Sequence, residues 1–196
     1  MRRTSLAILA AALLLPAPAR AACGPAVTDP VGDSTVADGM VLDGSVDEPV
    51  ASPALDLMRA DVTVGRATTR FAVRVADLSE LAAEAPSGAT FEVEVLADGV
   101  DLTVVADVGP GANAVEMYSG TDRVATYGAP EVDTGTSTVR FWSWNGDLAA
   151  HGLRRGAAVQ VVVRTRRTVA VDAHGGVIRQ GAGADHAEAS RRWGAC

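Results

Sequence analysis

Apolar residues recur at every second position in several short stretches of the chain, and this period restricts the fold more than any other feature. In residues 71–75, Phe and Val alternate with Ala and Arg, and in residues 91–95, Phe and Val alternate with two Glu residues. Successive side chains of a strand point to opposite faces, whereas a helix repeats its apolar face every three to four residues. These stretches therefore predict antiparallel strands with one buried and one solvated face.

The same pattern predicts an all-β chain. Asp98-Gly99 separates two alternating runs, and Gly accepts the positive φ of a tight turn, so a hairpin is expected there. Short helical turns are expected at 78–85 and 147–153. The predicted strands are 58–64, 71–75, 91–96, 100–106, 114–118, 123–127, 138–144, 158–165 and 168–172. Short strands with frequent turns and little helix favour an antiparallel two-sheet β-sandwich, jelly-roll-like in form.

The first residues have the pattern of an export signal. Two arginines precede an apolar run from Leu6 to Leu15, and residues 19–21 give the small-x-small sequence that signal peptidase accepts. A bilayer span needs about 20 apolar residues, so this run is too short to be an anchor. We expect residues 1–21 to be a cleaved signal peptide and residues 22–196 to form one domain that is secreted.

The chain contains two cysteines, Cys23 and Cys196. In an oxidising compartment an even pair favours a disulfide, and the termini of a domain often lie close together. The alternatives are two separately used thiols or lipid attachment at Cys23. A lipidation signal has a Leu-like residue three positions before its cysteine, and Arg20 stands there instead.

The balance of charge excludes some classes of partner. The formal net charge is −7, and loss of Arg2, Arg3 and Arg20 from the 17 basic residues would leave 14 against 24 acidic ones, a charge of −10. Nucleic acids and anionic membrane surfaces attract Lys and Arg clusters, so neither is an expected partner. No transmembrane segment is expected either.

Residues 24–53 form an acidic stretch, rich in Gly, Pro and Ser, that is expected to be a loop. Asp29 and Asp33 in this stretch and Asp56 after it could converge on one site. Ca²⁺ takes six to eight oxygen ligands from flexible loops, so a structural calcium ion is one interpretation. In the other, Asp29 and Asp33 cap their own turns and Asp56 pairs with an Arg.

Trp142 and Trp144 share one face of a predicted strand with Arg140. Paired aromatic rings on a strand can stack against sugar rings while an Arg binds their hydroxyl groups. The alternative is core packing, because a chain with few aromatic residues usually buries its Trp side chains. Phe141, on the opposite face, competes for that core position.

Spacing typical of catalysis is missing from the sequence. The histidines at 151, 174 and 186 fall in predicted loops, without His-x-x-x-His or His-Glu-x-x-His spacing. Asp185 and His186 near Ser190, together with Glu92, would be the candidates if the chain were a small secreted hydrolase. The pairs Glu92/Glu94 and Glu131/Asp133 and the basic run 164–167 are instead interpreted as solvated surface, the basic run offsetting the acidic loop.

Three short motifs carry a resemblance: residues 29–33 (Asp-Pro-Val-Gly-Asp), 54–57 (Ala-Leu-Asp-Leu) and 75–79 (Val-Ala-Asp-Leu-Ser), with 183–187 (Gly-Ala-Asp-His-Ala) as a fourth. In this order they resemble a group of secreted actinobacterial β-sandwich domains that stand alone or are appended to subtilisin-like proteases. That group is similar to jelly-roll carbohydrate-binding modules and DOMON-type domains. The resemblance implies a sandwich fold, and structural calcium occurs in some such modules.

Together these features predict an exported, non-catalytic binding or accessory domain. Its ligand would be a polysaccharide or an envelope partner, with Trp142, Trp144 and Arg140 as the candidate contact residues. A purely structural or protein-interacting envelope protein is the second hypothesis, and a small hydrolase is the third.

Overall fold

Antiparallel strands in two sheets account for most of the protein in a computed structural model, which describes residues 25–30, 32, 35–37, 50–51, 53–79, 88–109, 113–170 and 180–194. The expected signal peptide, Cys23, Cys196, Asp33 and His174 lie outside these residues. The described elements, in chain order, are β1 (Val27–Thr28), β2 (Thr35–Ala37), β3 (Val50–Ala51), β4 (Leu57–Val64), β5 (Thr68–Val75), β6 (Gly88–Ala97), β7 (Val100–Val108), β8 (Val115–Ser119), β9 (Asp122–Tyr127), β10 (Glu131–Asp133), β11 (Thr138–Trp144), α1 (Asn145–Ala150), β12 (Ala158–Ala170) and β13 (Gln180–Arg192).

The smaller sheet has five strands in the spatial order β1-β4-β5-β11-β10. The larger sheet has eight, in the order β3-β2-β13-β12-β6-β7-β8-β9. Neighbouring strands run antiparallel in both sheets. The predicted all-β, two-sheet sandwich is therefore confirmed.

The alternating stretches form the core as predicted. Phe71, Val73 and Val75 of β5 are buried, and so is the alternating apolar set of β6. Both sets turn toward the facing sheet, which removes their apolar surface from water and stabilises the sandwich. The hairpin between β6 and β7 is also confirmed, because Ala97 pairs with Val100 and Gly99 has a φ of +67°.

The structure differs from the sequence prediction at the C-terminal strands. Residues 158–170 form one strand, where two were predicted with a break between them. Residues 180–192 form a second long strand, where loops were predicted. This strand contains Ala, Gly and polar residues in place of the β-branched and aromatic residues that usually indicate a strand. It is a strand because all of its residues pair with β12.

Short strands also occur in the acidic stretch, which was predicted to be loop throughout. β1 pairs with β4 of the smaller sheet, whereas β2 pairs with β13 of the larger one. The stretch therefore passes from one sheet to the other. The predicted turn at 147–153 is helical from 145 to 150, and of the predicted turn at 78–85 only its first two residues are described.

Two buried polar side chains of the larger sheet bind the backbone of the smaller one. Thr165 and Asp185 are cross-strand neighbours on β12 and β13, and both point into the sandwich. The Thr165 hydroxyl donates to the carbonyl of Leu55, and Oδ2 of Asp185 accepts the N–H of Leu57 at 2.7 Å. We call this pair of contacts the polar clasp. It satisfies backbone groups that would otherwise be buried without partners.

The two described ends of the chain meet at one side of the molecule. Pro25, two residues after Cys23, lines the same cavity as Arg191 of β13. Gly194, two residues before Cys196, lies so close to Val64 that a Cβ added to it would be 3.4 Å from the Val64 Cβ. The predicted disulfide itself lies outside the described residues and stays a prediction.

The polar clasp gives a stability prediction. Asp185→Ala leaves the buried Leu57 N–H without its carboxylate acceptor, so we expect the free energy of unfolding to fall by about 2–3 kcal/mol. Urea denaturation measures the change. Glu188→Ala removes an exposed carboxylate from the same strand and serves as the control, with an expected change below about 0.5 kcal/mol. Equal stability of the two variants would show that the clasp does not hold the sheets together.

The two cysteines give a second prediction. We expect the protein secreted from its natural host to have an intact mass two hydrogens below that of the reduced chain and no titratable thiol. The paired variant Cys23→Ser/Cys196→Ser should lose stability, by up to about 5 kcal/mol in the chain-entropy model for so long a loop. Two reactive thiols, or the added mass of a lipid on Cys23, would contradict this pairing.

Candidate ligand-binding surface

Strand β11 places its two Trp side chains on the outward face of the smaller sheet. Val139, Phe141 and Ser143 alternate with them and are buried, and the Phe141 ring stacks on Phe71 with 5.2 Å between centroids. Phe141 therefore takes the core position for which the Trp residues were the alternative. Trp144 is 48% exposed, which is unusual for so large an apolar side chain.

The outward aromatic rings form a cluster that includes a residue of the larger sheet. The centroids of Trp142 and Trp144 are 5.0 Å apart, and their planes meet at 76°. Tyr127, the last residue of β9, lies 5.3 Å from Trp142 on its other side. The edge-to-face contact makes the two indoles an angled pair, so they do not form one flat surface. A sugar ring would stack on one indole at a time.

Short strand β10 explains how Tyr127 reaches Trp142. β10 pairs with β11 only from Thr138 to Arg140, so it does not run alongside the two Trp residues. The chain arriving from β9 flanks that part of β11 instead. The Tyr127 hydroxyl donates to Asp147 of α1 at 2.8 Å. Burial, with this hydrogen bond, raises the pKa of the Tyr127 hydroxyl far above its usual value.

Arg140, the predicted polar partner of the two Trp residues, is occupied by neighbouring carboxylates. Its guanidinium lies 3.3 Å from Glu131 and 3.2 Å from Asp133, both on β10. A hydrogen bond from Thr136, with the contribution of Arg140, lowers the pKa of Asp133 below its usual value. The Glu131/Asp133 pair was interpreted as plain solvated surface, and here it holds Arg140 in position at the edge of the sheet.

Arg70 is the residue that sequence reasoning missed. In the register of β5 and β11, Arg70 is the direct cross-strand partner of Trp142, and it is exposed on the same outward face. Cross-strand partners have Cβ atoms about 5 Å apart, so the two side chains are immediate neighbours. Alternation could have placed Arg70 outward, but only the pairing of two strands distant in sequence makes it part of this surface.

Two of the three acidic residues proposed for calcium, Asp29 and Asp56, are among the described residues. Asp56 is buried, and its two carboxylate oxygens accept the N–H of Gly32 at 3.0 and 2.8 Å. The partner of Asp56 is thus a backbone amide, where an Arg was the alternative to calcium. Among the described residues, no group of three or more His, Cys, Asp or Glu side chains could hold a metal ion. This accounts for Asp56 without a metal, and calcium stays a prediction that depends on Asp33.

The candidate catalytic residues of β13 lie apart from one another. Asp185 faces the core as part of the polar clasp, whereas His186 is exposed on the opposite face of β13. Ser190, four residues further along the strand, is about 13 Å from His186 at the usual strand rise. The geometry therefore does not bring these three side chains together as a triad.

The larger sheet has ion pairs on its outward face. Arg164 lies 2.8 Å from Glu94, and Arg166 lies 3.3 Å from Glu92. The basic run was predicted to offset the acidic loop, but these two arginines neutralise the carboxylates of the neighbouring strand instead. Burial raises the pKa of Glu92, and the nearby arginines oppose that shift.

No protein-family model, curated protein or solved structure matches this chain. Among the described residues, no helix is long and apolar enough to cross a membrane.

The calcium hypothesis predicts a shift in thermal stability. We expect Ca²⁺ to raise the melting temperature of chelator-treated protein, because a ligand bound only by the folded state stabilises that state. Asp33→Ala should abolish the rise. Asp61→Ala, which removes an exposed carboxylate that pairs with Arg59, is the control and should leave the rise intact. A melting temperature that does not respond to Ca²⁺ would leave Asp56 as a turn-capping residue only.

Proposed function

We propose that the protein is an exported, non-catalytic binding domain that holds a polysaccharide chain against Trp142 and Trp144. The observation that carries the proposal is the exposure of Trp144, 48%, in a chain with only eight aromatic residues. Leaving an indole in water forgoes the free energy of its burial, so an exposed Trp on a rigid strand favours a role in contact with a partner.

The angled Trp pair suits a sugar. The C–H faces of a pyranose ring are apolar and pack on an aromatic face, while its hydroxyl groups need polar neighbours. The outward face supplies these groups around the rings, with Arg70 opposite Trp142 and Thr63 opposite Arg70 on the next strand. An apolar, aromatic surface with a small number of polar groups that orient the ligand is typical of ligand-binding sites in general.

Rigidity further supports this assignment. Tyr127 and Asp147 fix Trp142 from one side, and β5 supports it from the other. A ring that is already in place loses little conformational entropy on binding, so more of the contact energy becomes affinity. The export-signal pattern predicted in residues 1–21 and the resemblance to secreted sandwich domains support a location outside the cytoplasm.

A protein partner is the second candidate, and Val132 favours it. Val132 on the edge strand β10 is 40% exposed, and among the described residues it and Trp144 are the large apolar side chains that are exposed. Exposed aromatic residues and arginines are enriched in protein interfaces as well. In this case the domain would serve as an envelope interaction module.

Substitution of the two Trp residues tests the polysaccharide proposal. Binding to a panel of soluble polysaccharides is measured by affinity electrophoresis and calorimetry. We expect Trp142→Ala and Trp144→Ala each to weaken binding about tenfold, which corresponds to about 1.4 kcal/mol. Tyr118→Ala is the matched control, because Tyr118 lies on the outward face of the larger sheet and bonds to Glu116. Its affinity should equal that of the wild type.

Tryptophan emission gives an independent measurement. Trp193 is buried, whereas Trp144 is exposed, so quenching by acrylamide should report mainly on Trp144. A bound polysaccharide should protect that signal. Full affinity in both Trp variants would move the binding site elsewhere. A lack of binding to every polysaccharide, with a specific protein captured through Trp144 and Val132, would favour the second candidate.

A further inference from the structure

We infer that the saccharide carries carboxylate groups, as in a polymer of uronic acids, and that Arg70 binds one of them beside Trp142. This inference rests on the proposed function and names its ligand more closely. Two exposed arginines lie near the Trp pair: Arg70 on β5, the cross-strand partner of Trp142, and Arg66 in the turn before β5. Within the described residues, neither of the two has an ion pair or a side-chain hydrogen bond.

The carboxylates around Arg70 already have partners. Asp61 binds Arg59 through two hydrogen bonds, of 2.7 and 2.8 Å. Glu131 and Asp133 bind Arg140, and Asp147 accepts the Tyr127 hydroxyl. Acidic residues outnumber basic ones in this chain, 24 to 17. Arg70 nevertheless pairs with none of the described carboxylates, so we call its positive charge uncommitted. An anionic group of the ligand would supply the missing ion pair.

Arg66 provides a second positive charge, near Trp144. It lies in the turn that joins β4 to β5, and Asn145, the residue after Trp144, fastens that turn. The Asn145 N–H donates to the carbonyl of Ala67 at 2.9 Å, and its side-chain amide donates to that of Gly65 at 3.1 Å. Each indole therefore has one uncommitted arginine nearby, Arg70 next to Trp142 and Arg66 next to Trp144.

The chemistry of the guanidinium group favours a carboxylate. Its planar N–H fork binds both oxygens of a carboxylate at once. One guanidinium balances the single negative charge of one uronic acid, and both groups are planar, so two parallel hydrogen bonds can join them. A polymer with one carboxylate on each sugar has charges at regular intervals along its chain. Arg70 and Arg66 could then bind the carboxylates of different sugars, one near Trp142 and one near Trp144.

A pair of polymers tests this inference. Polygalacturonate and its methyl ester have the same sugar and linkage, but only the first is charged. We expect the wild type to bind polygalacturonate about tenfold more tightly than the ester. Arg70→Gln should remove most of that difference while leaving the affinity for the ester unchanged, and Arg66→Gln should act in the same direction. Arg123→Gln, which removes an exposed arginine of the larger sheet, is the charge-matched control and should have no effect.

Each other outcome separates the inference from the proposed function. Equal binding of both polymers, lost in Trp144→Ala, keeps the sugar surface and overturns the carboxylate. Binding of polygalacturonate that survives both Trp substitutions but is lost in Arg70→Gln keeps the charge and overturns the stacking surface. A phosphate-bearing glycan that binds more tightly than polygalacturonate overturns the choice of carboxylate. Binding of neither polymer overturns the inference, and circular dichroism of the variants confirms that they are folded.

Discussion

The polar clasp between the two sheets is the contact on which the rest of the structure depends. Apolar side chains draw two sheets together without fixing where one lies along the other, because the hydrophobic effect has no direction. Hydrogen bonds to Leu55 and Leu57 do have direction, and Thr165 and Asp185 make them from adjacent strands. They fix the segment that enters β4, while the pairing of β4, β5 and β11 fixes the register within the smaller sheet.

That register creates the candidate surface. β11 places Trp142 beside Arg70, which no nearby part of the chain would bring together. β10 ends before it reaches the Trp pair, so the chain leaving β9 can place Tyr127 against Trp142. The surface thus combines strands of one sheet with the edge of the other. Its rings are held by the fold and not by loops, which suits a site that binds without rearrangement.

Alternation made most of the smaller sheet and the centre of the larger one predictable. Phe71 and Phe91 begin runs whose buried side follows directly from the period of two, and Gly99 marks its own turn. β13 was missed because its inward residues include Ala187 and Asp185, which carry no strand signal of their own. Its partner β12 decides its structure. The candidate site was predictable in part. Alternation within one strand placed Trp142 and Trp144 on the same face. It could not place Arg70 beside them, because the pairing of two strands distant in sequence is a long-range property.

The position of β12 and β13 has a consequence for how the chain is made. These strands, from residues 158–192, occupy the middle of the larger sheet, yet they come last among the described elements. Strands β6, β7 and β8 can pair with one another as soon as they have been made. The free edge of β6 and the backbone of Leu55 and Leu57 have no partner until β12 and β13 have also been made. The larger sheet cannot close until these two strands have been made, and sheets whose neighbouring strands are distant in sequence fold slowly.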